Sequence, residues 1–592
     1  MQKSRSEINR ASLIRIRQHA RSVGRCIVCR VMDSQPEKSV CSLCNEAAKL
    51  RVAKMRMRNK EQRAITATIH TFEKAGSAAM KRFQYIEAST QYERALAQQQ
   101  LTLKDEIRLC EKMGQALFHG VRPELARPWF ERALQQCLSV KSLRGLAPNL
   151  ALNIAGLLWI EARTCETPAI IQDARTLIAR HVVEDRQRGL LSCVASGLAT
   201  SCFFALGRYR EAIAEFLPED NPYIPDSYGL SRYFKHGAIL QAAQGNTLES
   251  IASFERSIES AKTLFDGRVL ISIWDEYAVW ATELGNFDLA RSCYERALFV
   301  ARERRLEWRI PYQALHYASA LATAGDYASA RRLLGDALTY DLNTPVLRVL
   351  KSTVALELAG SLSDAELQRY VVDDGAIELA FLSGEPRLIG QLVAPYVRLS
   401  ALRGDVQRAQ THISRAIALI PQETTSDHIG ELLALTAQYG SKSDAKRAKL
   451  LLLERLKRPY AAVAQAYLEL WEAHAAIRER KIHKTKSHAE RAAQYFADLG
   501  WKRQQSEALA LIGKNKVLQR VADIDRLVIF EDLQPALTNR EQQVAELVLQ
   551  GLTNRAISEV LLISERTVES HMTSILNRLG LRSRWQLTNF IR

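Results

Sequence analysis

The stretch Gly285-Asn-Phe-Asp-Leu-Ala290-Arg-Ser-Cys-Tyr294-Glu-Arg-Ala297-Leu298 (GNFDLARSCYERAL, 285–298) sets a pattern that returns along most of the chain. A glycine and a short polar step lead to a small residue, a large one follows four later, and a second small one three after that. On a helix these three positions share one face. The small residues let a second helix come close, and the large one fills the groove between them. The pattern recurs as Ala88–Tyr92–Ala95, Ala126–Phe130–Ala133, Ala212–Phe216, Ser250–Phe254–Ser257, Ala330–Leu334–Ala337 and Ala409–Ile413–Ala416. From 88 to 126 and 212 to 250 the step is 38, and from 250 to 290 and 290 to 330 it is 40. The interval from 330 to 409 spans two steps, which predicts a degenerate repeat near 360–385. A fixed period of this size marks stacked supersecondary units. A second helix is expected between the marks, as over Ile271–Leu284, with Trp274, Tyr277, Ala278 and Ala281 on one face. Gly245, Gly285, Gly325 and Gly404 suit the turn inside each helix pair.

On these residues the chain resembles the tetratricopeptide repeat, with a period longer than that family's usual 34 residues. The predicted fold class is all-α, a helical-repeat solenoid over residues 65–515. The resemblance implies a long concave face that binds a protein or small-molecule effector.

The 592 residues are 47% apolar and 25% charged, which excludes pervasive disorder. No stretch reaches the ~18 consecutive apolar residues of a membrane span, and no apolar run follows the basic N-terminus as in a secretory signal. A cytoplasmic protein with no membrane partner is expected. Of the net charge of +17, residues 1–64 carry 16 Lys/Arg against 5 Asp/Glu, a net of +11. Such a basic arm points to a polyanion, with a solvated tail as the plain alternative. Residues 45–64 read as a basic helix bearing Arg51, Lys54, Arg56, Arg58 and Lys60.

Cys26, Cys29, Cys41 and Cys44 form C-x2-C-x11-C-x2-C. Two thiolates three residues apart grip one face of a tetrahedral ion, and a second pair closes the other. A structural Zn²⁺ is expected, with an iron–sulfur cluster or a redox dithiol as alternatives. Four cysteine ligands leave no open position for catalysis. The remaining six cysteines, Cys110, Cys137, Cys165, Cys193, Cys202 and Cys293, read as small buried hydrophobes.

Residues 535–592 carry the functional signal. Thr538 with Glu541 three later forms a capping box, and Val544, Ala545, Leu547 and Val548 make an apolar face that ends at Gly551. Thr553 caps a second helix to about Leu561, and Ser564 a third to about Leu579. Gly580 stops it, and Ser583 opens a short fourth. Two short helices around a tight turn make a helix-turn-helix. The segment resembles the LuxR-type DNA-binding domain at Leu537, Thr538, Arg540, Glu541, Val544, Gly551, Leu552, Thr553, Asn554, Ile557, Ile563, Ser564, Thr567, Val568, His571, Leu579 and Gly580. That resemblance implies a double-stranded DNA partner and a homodimer formed through the last helix, around 583–591. It places base reading on Glu569, Ser570 and Thr573. Many members have Lys where Glu569 stands, and a carboxylate favours the cytosine N4 donor instead. Thr553, Asn554, Arg555, Ser564, Arg566, Thr567 and Arg578 complete the expected DNA-binding set. His571 reads as a packed residue.

No G-x4-G-K-[ST], H-E-x-x-H or G-x-S-x-G motif occurs, so no enzyme is expected. The organisation read from sequence is 1–64 (basic four-cysteine module), 65–515 (solenoid), 516–534 (linker) and 535–592 (DNA-binding domain). Its predicted function is a bacterial transcriptional regulator whose repeats sense an effector or partner. The alternatives are a repeat-based interaction adaptor tethered to nucleic acid, and a zinc or redox sensor using the cysteine cluster.

Overall fold

The computed structural model describes residues 17–18, 28, 40–98, 101–120, 122–217, 221–223, 227–262, 264, 267–340, 344–358, 374–402, 405–424, 426–458, 461–512, 537–549, 553–561 and 563–578. Among these, every regular element is helical.

The repeats are antiparallel helix pairs. They run α1 (Ser42–Lys81) with α2 (Tyr85–Leu96), α3 (Leu103–His119) with α4 (Arg127–Ser139), and α5 (Ala147–Ala155) with α6 (Thr167–His181). Then come α7 (Asp185–Ala205) with α8 (Tyr209–Glu215), α9 (Ser227–Gln244) with α10 (Thr247–Lys262), and α11 (Gly267–Glu283) with α12 (Phe287–Glu303). α13 (Arg309–Ala324) pairs with α14 (Tyr327–Leu338), α15 (Pro345–Glu357) with α16 (Asp374–Ser383), and α17 (Pro386–Leu402) with α18 (Val406–Leu419). The last pairs are α19 (Gly430–Tyr439) with α20 (Lys442–Arg455) and α21 (Ala462–Arg478) with α22 (Ile482–Asp498), after which α23 (Lys502–Ala510) caps the stack. α16 stands where the degenerate repeat was expected.

The small–large–small reading sits where the packing needs it. Ala88, Ala126, Ala133, Ser250, Phe254, Ala330 and Ile413 are wholly or almost wholly buried, and Phe216 alone of the large residues is half-buried. The groove each aromatic fills is made by a small residue on the partner helix. A Cβ on Gly114 of α3 would lie 2.7 Å from the Phe130 ring of α4. The same aromatics join successive pairs: Phe254 stacks on Tyr277 at 4.5 Å and Tyr294 on Tyr317 at 5.3 Å. Burying one such side chain contributes ~2–3 kcal/mol. The solenoid core is one main layer from Tyr85 to Ala508, with two smaller clusters beside it, around Ala88 and Tyr92 in the first repeats and around Ala151 and Ala174 in α5–α7.

The stack coils until its turns touch. Trp308 Nε1 donates to Phe118 O at 2.9 Å, and Trp501 Nε1 to Thr282 O at 3.1 Å, across 190 and 219 residues. At about 40 residues per unit this is roughly five pairs per turn. Gly285, at φ +73°, serves both the turn before α12 and this closure, since a Cβ there would meet Leu499 O at 2.2 Å. At the end of the stack, Arg398 lies 3.0 Å from Glu431 and 2.8 Å from Glu507, and Arg503 lies 2.8 Å from Glu507. These buried pairs fix α23 against α17 and α19.

Two sequence expectations change, and α7 bears on a third. Cys110, Cys137, Cys202 and Cys293 are buried, but Cys193 is half-buried and Cys165 is exposed, its thiol donating to Leu382 O at 3.0 Å. The basic segment 45–64 is helical but does not end near 64, because α1 runs unbroken into the first repeat. By length and composition alone α7 passes as a membrane span, with mean hydropathy 1.3. Its charged residues, Asp185, Arg186 and Arg188, fall in the first turn, and in the structure it packs on α6 and α8 with Ala195, Ala199 and Cys202 buried.

Candidate nucleic-acid interface

The C-terminal unit holds α24 (Asn539–Leu549), α25 (Asn554–Leu561) and α26 (Glu565–Arg578) around its own core. Leu537, Val544, Ala545, Val548, Ile557, Val568, Met572 and Ile575 are buried there, with Leu547, Leu561 and Ile563 packed beside them. Val544, Ala545 and Val548 are the apolar face read from the sequence, and Leu537, Ile557, Val568, Met572 and Ile575 complete the core from the rest of the unit.

Each helix starts as its cap residue directs. At α24 the Thr538 amide donates to Glu541 Oε2 at 2.7 Å, and the Glu541 amide returns to Thr538 Oγ1 at 3.4 Å, completing the capping box. The Ala556 amide donates to Thr553 Oγ1 at 3.3 Å, and the Thr567 amide to Ser564 Oγ at 3.1 Å. Ser564 and Thr567 also share a hydroxyl hydrogen bond at 2.7 Å. These three hydroxyls are thus committed to the helix starts that orient α25 and α26.

The turn between α25 and α26 is closed by the Ile563 amide on Ser558 O at 3.1 Å. Arg540, to which the sequence assigned no role, donates to Leu561 O at 2.7 Å and ties α24 to the end of α25. Glu541 reaches further than its cap. Ser574 Oγ donates to its Oε1 at 2.5 Å, and Arg578 Nε lies 3.3 Å from the same oxygen, so one carboxylate joins the start of α24 to the end of α26. Burial alone would raise its pKa, but the Ser574 and Thr538 hydrogen bonds and the Arg578 charge outweigh it and hold the carboxyl at about 2. The i, i+3 spacing from Thr538 revealed the cap. The link to α26 carries no local sequence signal, since 33 residues separate the partners.

The predicted contact residues fall into two groups. Arg566, Glu569, Ser570 and Thr573 stand exposed along one side of α26, opposite buried Val568, Met572 and Ile575. Thr573 Oγ1 donates to Glu569 O at 2.9 Å, which leaves its oxygen able to accept. Thr553 and Arg555 are exposed at the start of α25 and Asn554 is half-buried beside them. Arg578 is an exposed cation paired to Glu541, a structural engagement the sequence did not suggest. His571 is half-buried. Gly551, Leu552, Leu579, Gly580 and the expected fourth helix lie outside the described residues.

Of the cysteine quartet, Cys41 is buried at the N-cap of α1 and Cys44 half-buried in its first turn. Cys26 and Cys29 lie outside the described residues. No group of three or more metal-ligating side chains gathers among the described residues.

Three short helices with a capped, outward-facing third define a helix-turn-helix DNA-binding unit. Residues 535–591 match the family described as bacterial regulatory proteins, luxR family. The spore germination protein GerE of Bacillus subtilis is 42% identical over 53 residues, covering 9% of this chain and 72% of that protein. The chain belongs to the luxR family of bacterial regulatory proteins. The oxygen regulatory protein NreC of Staphylococcus aureus is 39% identical over 54 residues, 9% of this chain and 25% of its own. A candidate HTH-type transcriptional regulator of Mycobacterium tuberculosis is 26% identical over 298 residues, covering 47% of this chain and 30% of that protein. The chain thus spans under a third of the length of the mycobacterial relatives it matches.

Proposed function

We propose that this protein is a sequence-specific transcriptional regulator in which the solenoid reads an effector or partner and controls the luxR-type unit. The observation that carries this is the exposed row Arg566–Glu569–Ser570–Thr573 on a helix whose opposite side forms the domain core. A helix so presented enters the major groove with its N-terminal half on the base edges. Glu569 accepts from a cytosine N4, Ser570 accepts or donates, and Thr573, its proton given to Glu569 O, accepts. Thr553, Asn554, Arg555 and Arg566 sit at the starts of α25 and α26, where helix amides and basic side chains favour phosphate. Arg578 adds charge from the far end of α26. Residues 535–592 carry only 7 Arg against 5 Glu, so a dimer, with twice the phosphate contacts, suits specific binding better than a single unit.

The basic module is a second part of the reading. Cys41 and Cys44 lie three residues apart at the start of α1, the spacing at which two thiolates grip one face of a tetrahedral ion. With Cys26 and Cys29 they supply a four-sulfur set for a structural zinc, which when bound would fold a segment too small for a core of its own. The function is tested by selecting genomic DNA fragments with the full chain. An enriched inverted repeat that changes with Glu569→Ala, Thr573→Ala supports the reading. Recovery of fragments without a shared motif rejects it.

A further inference from the structure

Where successive turns of the solenoid meet, they enclose a cavity of about 510 Å³. Its walls come from α5, α7, α9, α11 and α13 on one side and from the segments around α17, α20 and α21 on the other. Cavities of this size hold single small molecules. We propose that this axial cavity binds a small organic anion with a flat apolar body, the charge held by Lys235 and its neighbouring arginines and the body by Trp159 and Tyr312. The inference deepens the effector reading above and rests on it only for the word effector.

Six basic side chains and five acidic ones line the cavity; of the acids, Glu276 acts on Lys235 from beyond ion-pair distance, and the other four are largely spent. Asp427 is ion-paired to Arg455, and Asp275 lies 3.0 Å from His316. Burial pushes Glu283 and Glu385 up to about 7, so each carries only part of a charge at neutral pH. Two of the cations, Lys235 and Arg387, are less well matched. Lys235 Nζ donates to the Ser272 hydroxyl at 3.1 Å, and no carboxylate lies within ion-pair distance of it among the described residues. Desolvation brings this ammonium down to about 8, with Glu276 and Asp275 opposing the shift and Arg232 and Arg309 adding to it. Across the cavity Arg387 has a buried Nε without a hydrogen-bond partner. Clustered, desolvated cations cost stability until an anion joins them. Beside them Trp159 meets Tyr312 edge-on at 5.4 Å, and the Arg309 guanidinium lies 5.0 Å from the Trp159 ring. Charge and aromatic surface are thus adjacent in one cavity.

The probe is 8-anilinonaphthalene-1-sulfonate, compared with N-phenyl-1-naphthylamine, which has the same rings and no charge. Fluorescence titration of the full chain is expected to show one site per chain for the sulfonate. Lys235→Met should weaken that binding at least tenfold and leave the neutral amine within twofold. Lys235→Gln, which keeps a donor for Ser272, gives the same contrast should the methionine variant misfold. Equal sulfonate affinity in wild type and variant, or an equal loss for both probes, overturns the proposal. The readout contains no DNA, so the two readings fail separately. A chain that binds the sulfonate as expected yet shows no DNA sequence preference keeps the cavity and loses the regulator.

Discussion

Replacing Glu541 by glutamine tests how the DNA-binding unit is held together. Glutamine keeps the shape of the capping residue and can still serve the Thr538 amide, so the substitution removes chiefly the charge facing Ser574 and Arg578. A carboxyl held at about 2 against an ordinary 4.5 corresponds to ~3 kcal/mol of folded-state preference for the charged form. Arg578 keeps 47% of its side-chain surface, and solvent screens its share, so ~2 kcal/mol is the expected contribution. A unit of this size has a total stability of only ~3–8 kcal/mol. Amide hydrogen exchange of the full chain reads the unit without excising it. Protection over Val568–Ile575 should fall ~30-fold in Glu541→Gln at neutral pH. The folded pKa lies below the unfolded one, so this contribution is fully present above about 4.5 and is lost as pH falls toward 2. Wild type should therefore lose protection through that window, and the variant should lack this component. Equal protection at neutral pH, or the same acid response in both chains, would refute the reasoning.

Further expectations follow from other contacts. Gly114→Ala places a Cβ 2.7 Å from the Phe130 ring and should cost ~1–3 kcal/mol, seen as a lower melting temperature. Gly335→Ala, in the exposed middle of α14 with nothing within 4 Å, should instead stabilise by up to ~1 kcal/mol. Arg503→Ala leaves Glu431 and Glu507 to share Arg398 alone and should cost ~2–3 kcal/mol by denaturant unfolding. Arg566→Ala should weaken DNA binding equally for all sequences and reduce the salt slope by ~1, whereas Glu569→Ala should change the preferred base. Elemental analysis should find zinc bound to wild type and absent from a Cys41→Ser, Cys44→Ser chain.

Much of the solenoid was legible because each unit writes its own packing locally. Six triplets and the pair Ala212–Phe216 were enough to set the register from Ala88 to Ala416, and within the degenerate step near 360–385 the described residues form α16. The units missed are those whose third position departs from the rule. In α6, Ala174 and Ile178 are buried but His181 stands where a small residue was sought. In α20, Ala448 and Leu452 are followed by Arg455, which faces the cavity. In α22 the aromatic is displaced a turn, with Ala489 and Ala493 preceding Phe496. The closure of the superhelix was illegible for another reason. Trp308–Phe118 and Trp501–Thr282 join points about five repeats apart, and no local period encodes that distance. The axial cavity exists only through that closure. In the luxR-type unit the caps at Thr538, Thr553 and Ser564 could be read from spacing, whereas the Glu541–Arg578 pair requires knowing how α24 and α26 cross.

The central claim is that α26 reads base sequence. Its most direct test is the ratio of affinities of the full chain for a selected site and for the same length of scrambled DNA, measured by fluorescence anisotropy at physiological salt. The account predicts a ratio of ~10³ or more, falling by at least tenfold in Glu569→Ala, Thr573→Ala, with the affinity for scrambled DNA unchanged. A wild-type ratio near one, with binding that follows salt alone, would contradict it.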